Sequence, residues 1–174
     1  HLENLHALYK AFVKRRLERG AIEFESQEVK FSLGAAGEVL AMQPQSRNDA
    51  HKLIEECMIA ANVEAAKFLN KAKVPAPYRV HPPPPEEKFE ELQSFLAEFS
   101  LRLPPHASVK PADYAALLRK IRKRPDALLL EQVLLRSQSL AVYHPDCNGH
   151  FGLALDAYAH FTSPIRRYPD LLVH

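Results

Sequence analysis

Two adjacent arginines in "SPIRRYPDLLVH", residues 163–174, have the clearest potential for chemistry in this chain. Ser163 is a favourable N-cap and Pro164 a favourable first helical residue, so the sequence predicts a helix that begins there. Arg166 would then lie in the first turn. Free N–H groups at a helix start, together with a guanidinium, are suited to binding phosphate. The alternative is that Arg166 pairs with Asp170, four residues later on the same helix face.

Other charged or metal-binding side chains have an ordinary structural interpretation. The cations of "KRRLER" (14–19) and "RKIRKR" (119–124) are typical of solvated helix faces. The segment "HPDCNGH" (144–150) holds two histidines and one cysteine. A structural zinc site needs four ligands, so we interpret this segment as a turn. By spacing alone, Glu55 is typical of a solvated face and Phe24 of a core position.

The composition is that of a folded domain, with 174 residues, 47% hydrophobic residues and a net charge of +2. No apolar run approaches the roughly 20 residues that span a bilayer, so no membrane association is expected. Two cysteines and no signal peptide predict a reducing cytoplasmic location. Because the chain starts without Met and ends within "LLVH", we interpret it as a fragment.

The first part of the chain predicts a helix followed by a β-hairpin. Apolar residues recur at helical spacing over 2–19, and Gly20 is a suitable stop. Alternating residues on both sides of "GAAG" (34–37) predict the hairpin. Ile22 and Phe24 are assigned to its first strand, and a change of parity predicts a bulge near 26–28.

The rest of the chain is predicted to be mainly helical. A long helix over 46–73 is capped by Ser46 or Asn48. Its apolar stripe consists of Leu53, Ile54, Cys57, Met58, Ala61, Ala65, Phe68 and Leu69. The proline-rich stretch 74–85 predicts an extended surface crossing. Further helices are predicted over 86–101, 111–124 and 125–143.

The last elements are a short strand in "FGLALDAYAHF" (151–161) and the C-terminal helix. Pro169 either kinks this helix or marks the start of its regular part. The fold class is therefore α+β: a predominantly helical fragment with a β-hairpin near its N-terminus and a short strand before its C-terminal helix.

Three long motifs resemble one enzyme family. They are "HFGLALDAYAHFTSPIRRYPDLLVH" (150–174), "RNDAHKLIEECMIAANVEAAKFL" (47–69) and "GAIEFES" (20–26). The chain is thereby identified as similar to the ribonuclease II/ribonuclease R (RNB domain) exoribonucleases. The strings "FES" and "RYPDL" are closer to the ribonuclease R branch. The resemblance covers nearly the whole chain, which would be the C-terminal portion of an RNB catalytic domain.

The resemblance implies a processive 3′→5′ exoribonuclease that releases nucleoside 5′-monophosphates. Mg²⁺ would be held by aspartates upstream of residue 1, so no metal ligand is expected in this chain. The partners would be the 3′ end of single-stranded RNA and the rest of the same polypeptide. That remainder comprises the upstream RNB half, a cold-shock domain and S1 domains. The alternative is a non-catalytic RNA-binding or scaffolding module on the same fold.

The resemblance also implies catalytic roles for two positions. Arg166 matches an arginine close to the scissile phosphate, where it would neutralise developing charge. Glu55 matches an acidic position near the reaction, although Glu56 is an open alternative.

Four further residues are implied in RNA binding. Phe24 matches one jaw of the aromatic clamp that stacks the terminal bases. Arg167 and Tyr168 belong to the motif as backbone or packing support, and Ser163 would cap the helix that presents the arginine.

Overall fold

The computed structural model describes residues 1–24, 28–45 and 47–174. Within these residues the α+β class is confirmed, with helices dominating and small antiparallel sheets. The helices are α1 (Leu2–Arg19), α2 (Asp49–Ala72), α3 (Glu86–Glu98), α4 (Pro111–Ile121), α5 (Ala127–Arg136) and α6 (Tyr168–Val173). The strands are β1 (Glu28–Leu33), β2 (Val39–Gln45), β3 (Tyr78–Val80) and β4 (Val142–His144).

Gly20 ends α1 as the sequence predicts. It adopts the left-handed conformation, with φ of 76°, and its N–H donates to the carbonyl of Leu17. A Cβ atom at this position would lie 2.5 Å from the Cβ of Ala112. Both the backbone conformation and the close approach of α4 therefore require glycine here.

The predicted hairpin is confirmed, but it is shorter than expected. Strands β1 and β2 pair antiparallel, with Phe31 opposite Met42. Ile22 and Phe24 lie outside β1, because the N–H of Ile22 instead donates to the carbonyl of Gly152 at 2.8 Å. The bulge predicted near 26–28 falls mostly on residues that the structure does not describe.

The main hydrophobic core lies between α3, α4 and α5. Its buried side chains are Ile22, Phe89, Leu92, Leu96, Leu103, Tyr114, Leu117, Leu118, Ile121, Leu130 and Leu134. Asn48 caps α2 by accepting from the N–H groups of Ala50 and His51, and Pro111 is the first residue of α4, as predicted.

The two segments around a second, smaller core, 74–85 and 151–161, differ from their predictions. The stretch 74–85 is not simply a surface crossing, because β3 within it pairs with β4 and buries Tyr78 and Val80. The strand predicted over 151–161 is also wrong. This segment begins with a 3₁₀ turn (Phe151–Leu153) and makes isolated bridges at Leu155 and Ala159. The short strand ahead of the C-terminal helix is β4.

The helix faces differ from the predicted ones. Helix α1 leaves Leu2 and Leu5 exposed, whereas Arg16 and Arg19, predicted to be solvated, face the rest of the described chain. In α2 the buried side chains are Glu56, Ile59, Asn62 and Ala66. The predicted stripe is partly open: Ile54 and Phe68 are 60% and 73% exposed.

The helix predicted to begin with Ser163 as its N-cap and Pro164 as its first residue begins four residues later, at Tyr168. Residues 164–166 form a turn, closed by the N–H groups of Arg166 and Arg167, which donate to the carbonyl of Ser163. Helix α6 starts at Tyr168, with Pro169 in its first turn. Pro169 therefore marks the start of regular helix. Ser-Pro and Tyr-Pro both fit a helix start, and the chain uses the second.

Candidate functional site

Asn62 fastens the motif segment 150–174 to α2. Its Nδ2 donates to the hydroxyl of Tyr158 at 3.0 Å, and its Oδ1 accepts from the N–H of Phe161 at 2.9 Å. The side chain is buried, so both ends of the amide need these partners. Asn62 thus fixes the position along α2 at which this segment is attached.

A cavity of about 480 Å³ lies where these two segments meet. Its polar lining consists of Arg47, His51, Glu55, Asn62, Tyr158 and Arg167, and its apolar lining of Ile54, Met58, Ile59 and Leu153. Two guanidinium groups and one carboxylate therefore converge on one cavity. Such a surface is suited to an anionic group flanked by hydrogen-bonding groups.

Glu55 and Glu56 have different surroundings although they are neighbours on α2. Glu55 lines the cavity and accepts from the guanidinium of Arg47. Glu56 is buried and accepts from Nη1 of Arg16 at 2.6 Å. Burial alone would lower the pKa of Arg16, but the hydrogen bond and charge of Glu56 raise it. Glu56 is thus a buried tie between α1 and α2. Glu55 lies 3.4 Å from the same Nη1 of Arg16, but it also lines the cavity and is therefore the acid available there.

Arg166 and Arg167 also differ. Arg167 lines the cavity, and its Nη2 lies 2.8 Å from Oδ1 of Asp170. Arg166 is exposed, and its Nη2 lies 3.4 Å from Oγ of Ser163. The pair considered from spacing, Arg166 with Asp170, is therefore wrong: the neighbouring arginine makes it. Tyr168 is exposed at the start of α6.

Phe24 lies at a second cavity of about 570 Å³. It packs half-buried against the helical core, and Lys88 and Arg136 line the same cavity. Leu153 lines both cavities, so it lies between them. The structure thus places Glu55 and Arg167 together and Phe24 in the adjoining space.

The cations of 119–124 are not simply solvated. Arg122 donates to the carbonyl of Glu23 at 2.7 Å and lies 3.6 Å from Glu131. Arg124 makes a two-pronged pair with Asp126 at 2.8 Å. The first of these contacts holds the backbone next to Phe24.

Rings connect the helical core to the small sheet. Contacts between ring centroids at 4.9 to 6.3 Å run from Tyr114 through Phe151, His81 and His150 to Tyr158 and His160. Burial, with the nearby charge of His81, lowers the pKa of His150 to about 4. Burial, with the charge of Arg167, lowers the pKa of His160 to about 4 as well. Both imidazoles are neutral at pH 7.

The described residues do not fit a metal site. No three of their His, Cys, Asp or Glu side chains are grouped so that they could hold an ion. No helix in the described part of the chain has the length and apolar character needed to cross a bilayer.

Several polar residues that line the cavity are not among the site residues predicted from the sequence, and Asp170 is predicted with a different partner. Arg47, Asn62 and Tyr158 line the cavity, and Asp170 anchors Arg167. The usable signals are modest: Asn62 is an amide within an apolar helix stretch, and Asp170 follows Pro169 at a position where helix starts favour acids. The position of Arg47 gives no such signal.

Comparisons with known proteins agree on one family. The RNB domain family matches residues 1–174. Ribonuclease R of Escherichia coli (strain K12) is 55% identical over 174 residues, which is 100% of this chain and 21% of that protein. Ribonuclease R of Vibrio cholerae is 54% identical over the same shares. The chain therefore spans about a fifth of the length of these relatives.

The fold agrees with that of a solved ribonuclease R. The structure of Mycoplasma genitalium RNase R in complex with ribose-methylated single-stranded RNA superimposes with a TM-score of 0.92 and 28% identity. The match covers 99% of this chain and 27% of that one.

Proposed function

The chain belongs to the RNB domain family, and from that premise we propose that it is part of a processive 3′→5′ exoribonuclease. The enzyme would hydrolyse RNA to nucleoside 5′-monophosphates. The observation that carries this proposal is the 163–167 turn, in which Arg167 lines the cavity and the guanidinium of the preceding Arg166 is exposed. Among the described residues Arg166 makes no ion pair, so it is available to a phosphate.

In this proposal Arg166 acts on the reacting phosphate. A planar guanidinium donates two parallel hydrogen bonds to phosphate oxygens. The interaction strengthens as negative charge develops during attack by water, and it therefore lowers the barrier more than it aids binding. Glu55 and Arg167 serve the cavity that receives the adjoining nucleotide, with Glu55 rather than Glu56 as the functional acid.

Phe24 is proposed to stack on a terminal base. Its half-buried ring lies in a cavity with Lys88 and Arg136, so an aromatic face and two cations occur together. That combination is typical of sites that bind single-stranded nucleic acid. Ser163 shapes the turn, and the exposed Tyr168 belongs to the same RNA-facing surface.

The remaining partners are also proposals. Magnesium would take its ligands from outside this chain, since the described residues do not fit a metal site. Exposed apolar side chains on α1 and the hairpin, including Leu2, Phe31 and Met42, would pack against the rest of the polypeptide. That remainder would include the upstream RNB half and the cold-shock and S1 domains. The two free cysteines are consistent with a cytoplasmic location.

The test uses a chimeric enzyme in which this chain replaces the matching 174 residues of Escherichia coli ribonuclease R. Arg166→Ala should lower kcat on single-stranded RNA by about 10²- to 10³-fold. The Kd for the same RNA should change by less than about threefold, because the contact is strongest in the transition state. Quenched-flow hydrolysis and filter binding measure the two quantities.

Arg15→Ala is the matched control, since it removes an equal charge from an exposed position on α1. It should leave kcat unchanged. If Arg166→Ala retains turnover within a few-fold, the assigned role is wrong. If the unaltered chimera folds and binds RNA but does not hydrolyse it, the chain is a binding module instead.

A further inference from the structure

The 163–170 segment contains a carboxylate to which the proposed chemistry gives no role. Asp170 is fully buried in the first turn of α6. Its Oδ1 accepts from the N–H of Ser163 and from Nη2 of Arg167, both at 2.8 Å. A buried charge is costly unless it is paired and hydrogen-bonded. These two contacts are therefore what keep the carboxylate in place.

The two contacts hold both ends of one turn. The N–H groups of Arg166 and Arg167 donate to the carbonyl of Ser163 at 3.2 and 3.1 Å, which closes the turn from inside. Asp170 binds the N–H of Ser163 at the start and the side chain of Arg167 at the end. Arg166 lies between these anchors and is exposed. Its backbone position is thus set by a carboxylate that it does not touch.

Asp170 remains charged in this setting. Burial alone would raise its pKa, but the hydrogen bonds from Arg167 and the N–H of Ser163 outweigh burial, so the pKa lies below its usual value. An ionised Asp170 attracts any nearby guanidinium. Arg166 and Arg167, four and three residues away along the chain, are the two candidates for that partner position.

Arg167 takes that partner position. It occupies Oδ1 of Asp170, while Oδ2 is buried without a hydrogen-bond partner among the described residues. The carboxylate therefore binds one of the two arginines and leaves the other exposed.

We propose that Asp170 is a positioning residue, which fixes the 163–167 turn and occupies Arg167 so that Arg166 is the guanidinium left for the substrate phosphate. This inference rests on the proposed function, since it needs Arg166 to act on RNA. A misplacement of about 1 Å in such a group can cost about 100-fold in rate.

The test combines two variants in the chimeric enzyme. Asp170→Asn keeps an acceptor for the N–H of Ser163 but removes the charge that holds Arg167. It should lower kcat by about 10- to 100-fold and change KM by less than about threefold. The double variant with Arg166→Ala should be no slower than Arg166→Ala alone, because Asp170 acts through Arg166.

Asp113→Asn is the matched control. Asp113 also accepts from a backbone N–H, that of Lys110 at 2.8 Å, but it caps α4 away from the cavity. This variant should lower the Tm without changing kcat at a temperature where the enzyme is folded. A purely structural Asp170 would give the same result as Asp113→Asn, and that result would overturn the inference.

The remaining outcomes are also decisive. If the losses from Arg166→Ala and Asp170→Asn multiply, Asp170 does not act through Arg166 and the inference fails. If Arg166→Ala is harmless, the proposed function itself fails. If Arg166→Ala abolishes turnover while Asp170→Asn stays within threefold, only the inference fails. If Asp170→Asn does not fold, Asp170→Glu is used instead, because it displaces the carboxylate. Its double variant with Arg166→Ala should again be no slower than Arg166→Ala alone.

Discussion

At the scale of single residues, chemical identity does not determine role in this chain. Arg166 and Arg167 are adjacent and identical in type, yet one is exposed and the other is paired with buried Asp170. Glu55 and Glu56 show a similar division: both lie near Arg16, but Glu55 lines a cavity whereas Glu56 is buried against that guanidinium. In both cases the partner that each side chain meets decides what it can do.

Arg122 supports a prediction at this scale, because it holds the carbonyl of Glu23 next to Phe24. Arg122→Ala should weaken the binding of a short single-stranded RNA by about 3- to 10-fold if Phe24 stacks on a base. The chimeric enzyme's Tm should change little, because the pair of Arg122 with Glu131 is long, at 3.6 Å, and partly open to solvent, and such pairs contribute about 1 kcal/mol at most. Fluorescence anisotropy over a salt series measures the affinity.

Arg119→Ala is the control for charge. Arg119 is exposed in the last turn of α4 and lies three residues from Arg122. General attraction to RNA predicts equal losses for the two variants, with equal changes in salt dependence. Equal losses would therefore contradict a positioning role for Arg122.

The sequence predicts the residue types at the site better than it predicts their partners. The family motif identifies Arg166, Phe24 and Glu55 as candidates, but it does not show that Asp170 pairs with Arg167. The pairing depends on where α6 begins, and two Ser-Pro-like starts compete within seven residues. Which arginine pairs with Asp170 therefore depends on where α6 begins, and local propensities do not decide between the two possible starts.

At the scale of elements, helix bounds follow from the sequence more closely than helix faces. Periodicity and Gly20 define the bounds of α1, yet Arg16 faces α2 while Leu2 and Leu5 are exposed. An apolar stripe shows that a helix has a face to bury, but it does not show which neighbour covers that face. The same reason explains the exposed Phe68 on α2.

The contact between α1 and α2 predicts losses of stability of different size for the two adjacent acids. Glu56→Gln removes the nearer, buried counter-charge of Arg16 and leaves only Glu55 at 3.4 Å, so it should destabilise the fold by about 3 kcal/mol. Glu55→Gln changes a partly exposed pair and should cost at most about 1 kcal/mol. Thermal unfolding of the chimeric enzyme measures both.

Activity separates the two acids further. Glu55→Gln should lower turnover in the folded enzyme, whereas folded Glu56→Gln should retain it. If folded Glu56→Gln lost turnover while Glu55→Gln retained it, Glu56 rather than Glu55 would be the functional acid.

At the scale of the whole molecule, the ring series joins two cores that the sequence does not connect. Tyr114 belongs to the helical core, and Tyr158 packs against β3 through the hydrogen bond from the N–H of Arg79 to its carbonyl. Histidines 81 and 150 lie between them. The contacts among Tyr114, Phe151, His81 and His150 join rings that are 37 to 70 residues apart along the chain, and such long-range pairing leaves no local pattern.

The series makes folding depend on pH, because His150 and His160 have pKa values of about 4 in the folded chain, against roughly 6.5 when unfolded. Between these values the unfolded chain binds protons that the folded chain excludes. The free energy of unfolding must therefore fall as the pH drops from about 6.5 to 4, and it is insensitive to these two groups above that window.

Replacing His160 by Gln should remove part of this dependence, since one of the two excluded protons is lost. The Tm of the chimeric enzyme is measured from pH 7.5 to 4.5, and the difference between variant and unaltered enzyme isolates the contribution of this residue.

Tyr143→Phe serves as the control, because it removes the hydroxyl that bonds Nδ1 of His160 at 2.7 Å without removing the imidazole. It should shift the Tm while leaving the decline with acid in place. Parallel Tm curves for His160→Gln and the unaltered enzyme would show that the folded and unfolded chains bind this proton equally, and the burial argument for it would fail.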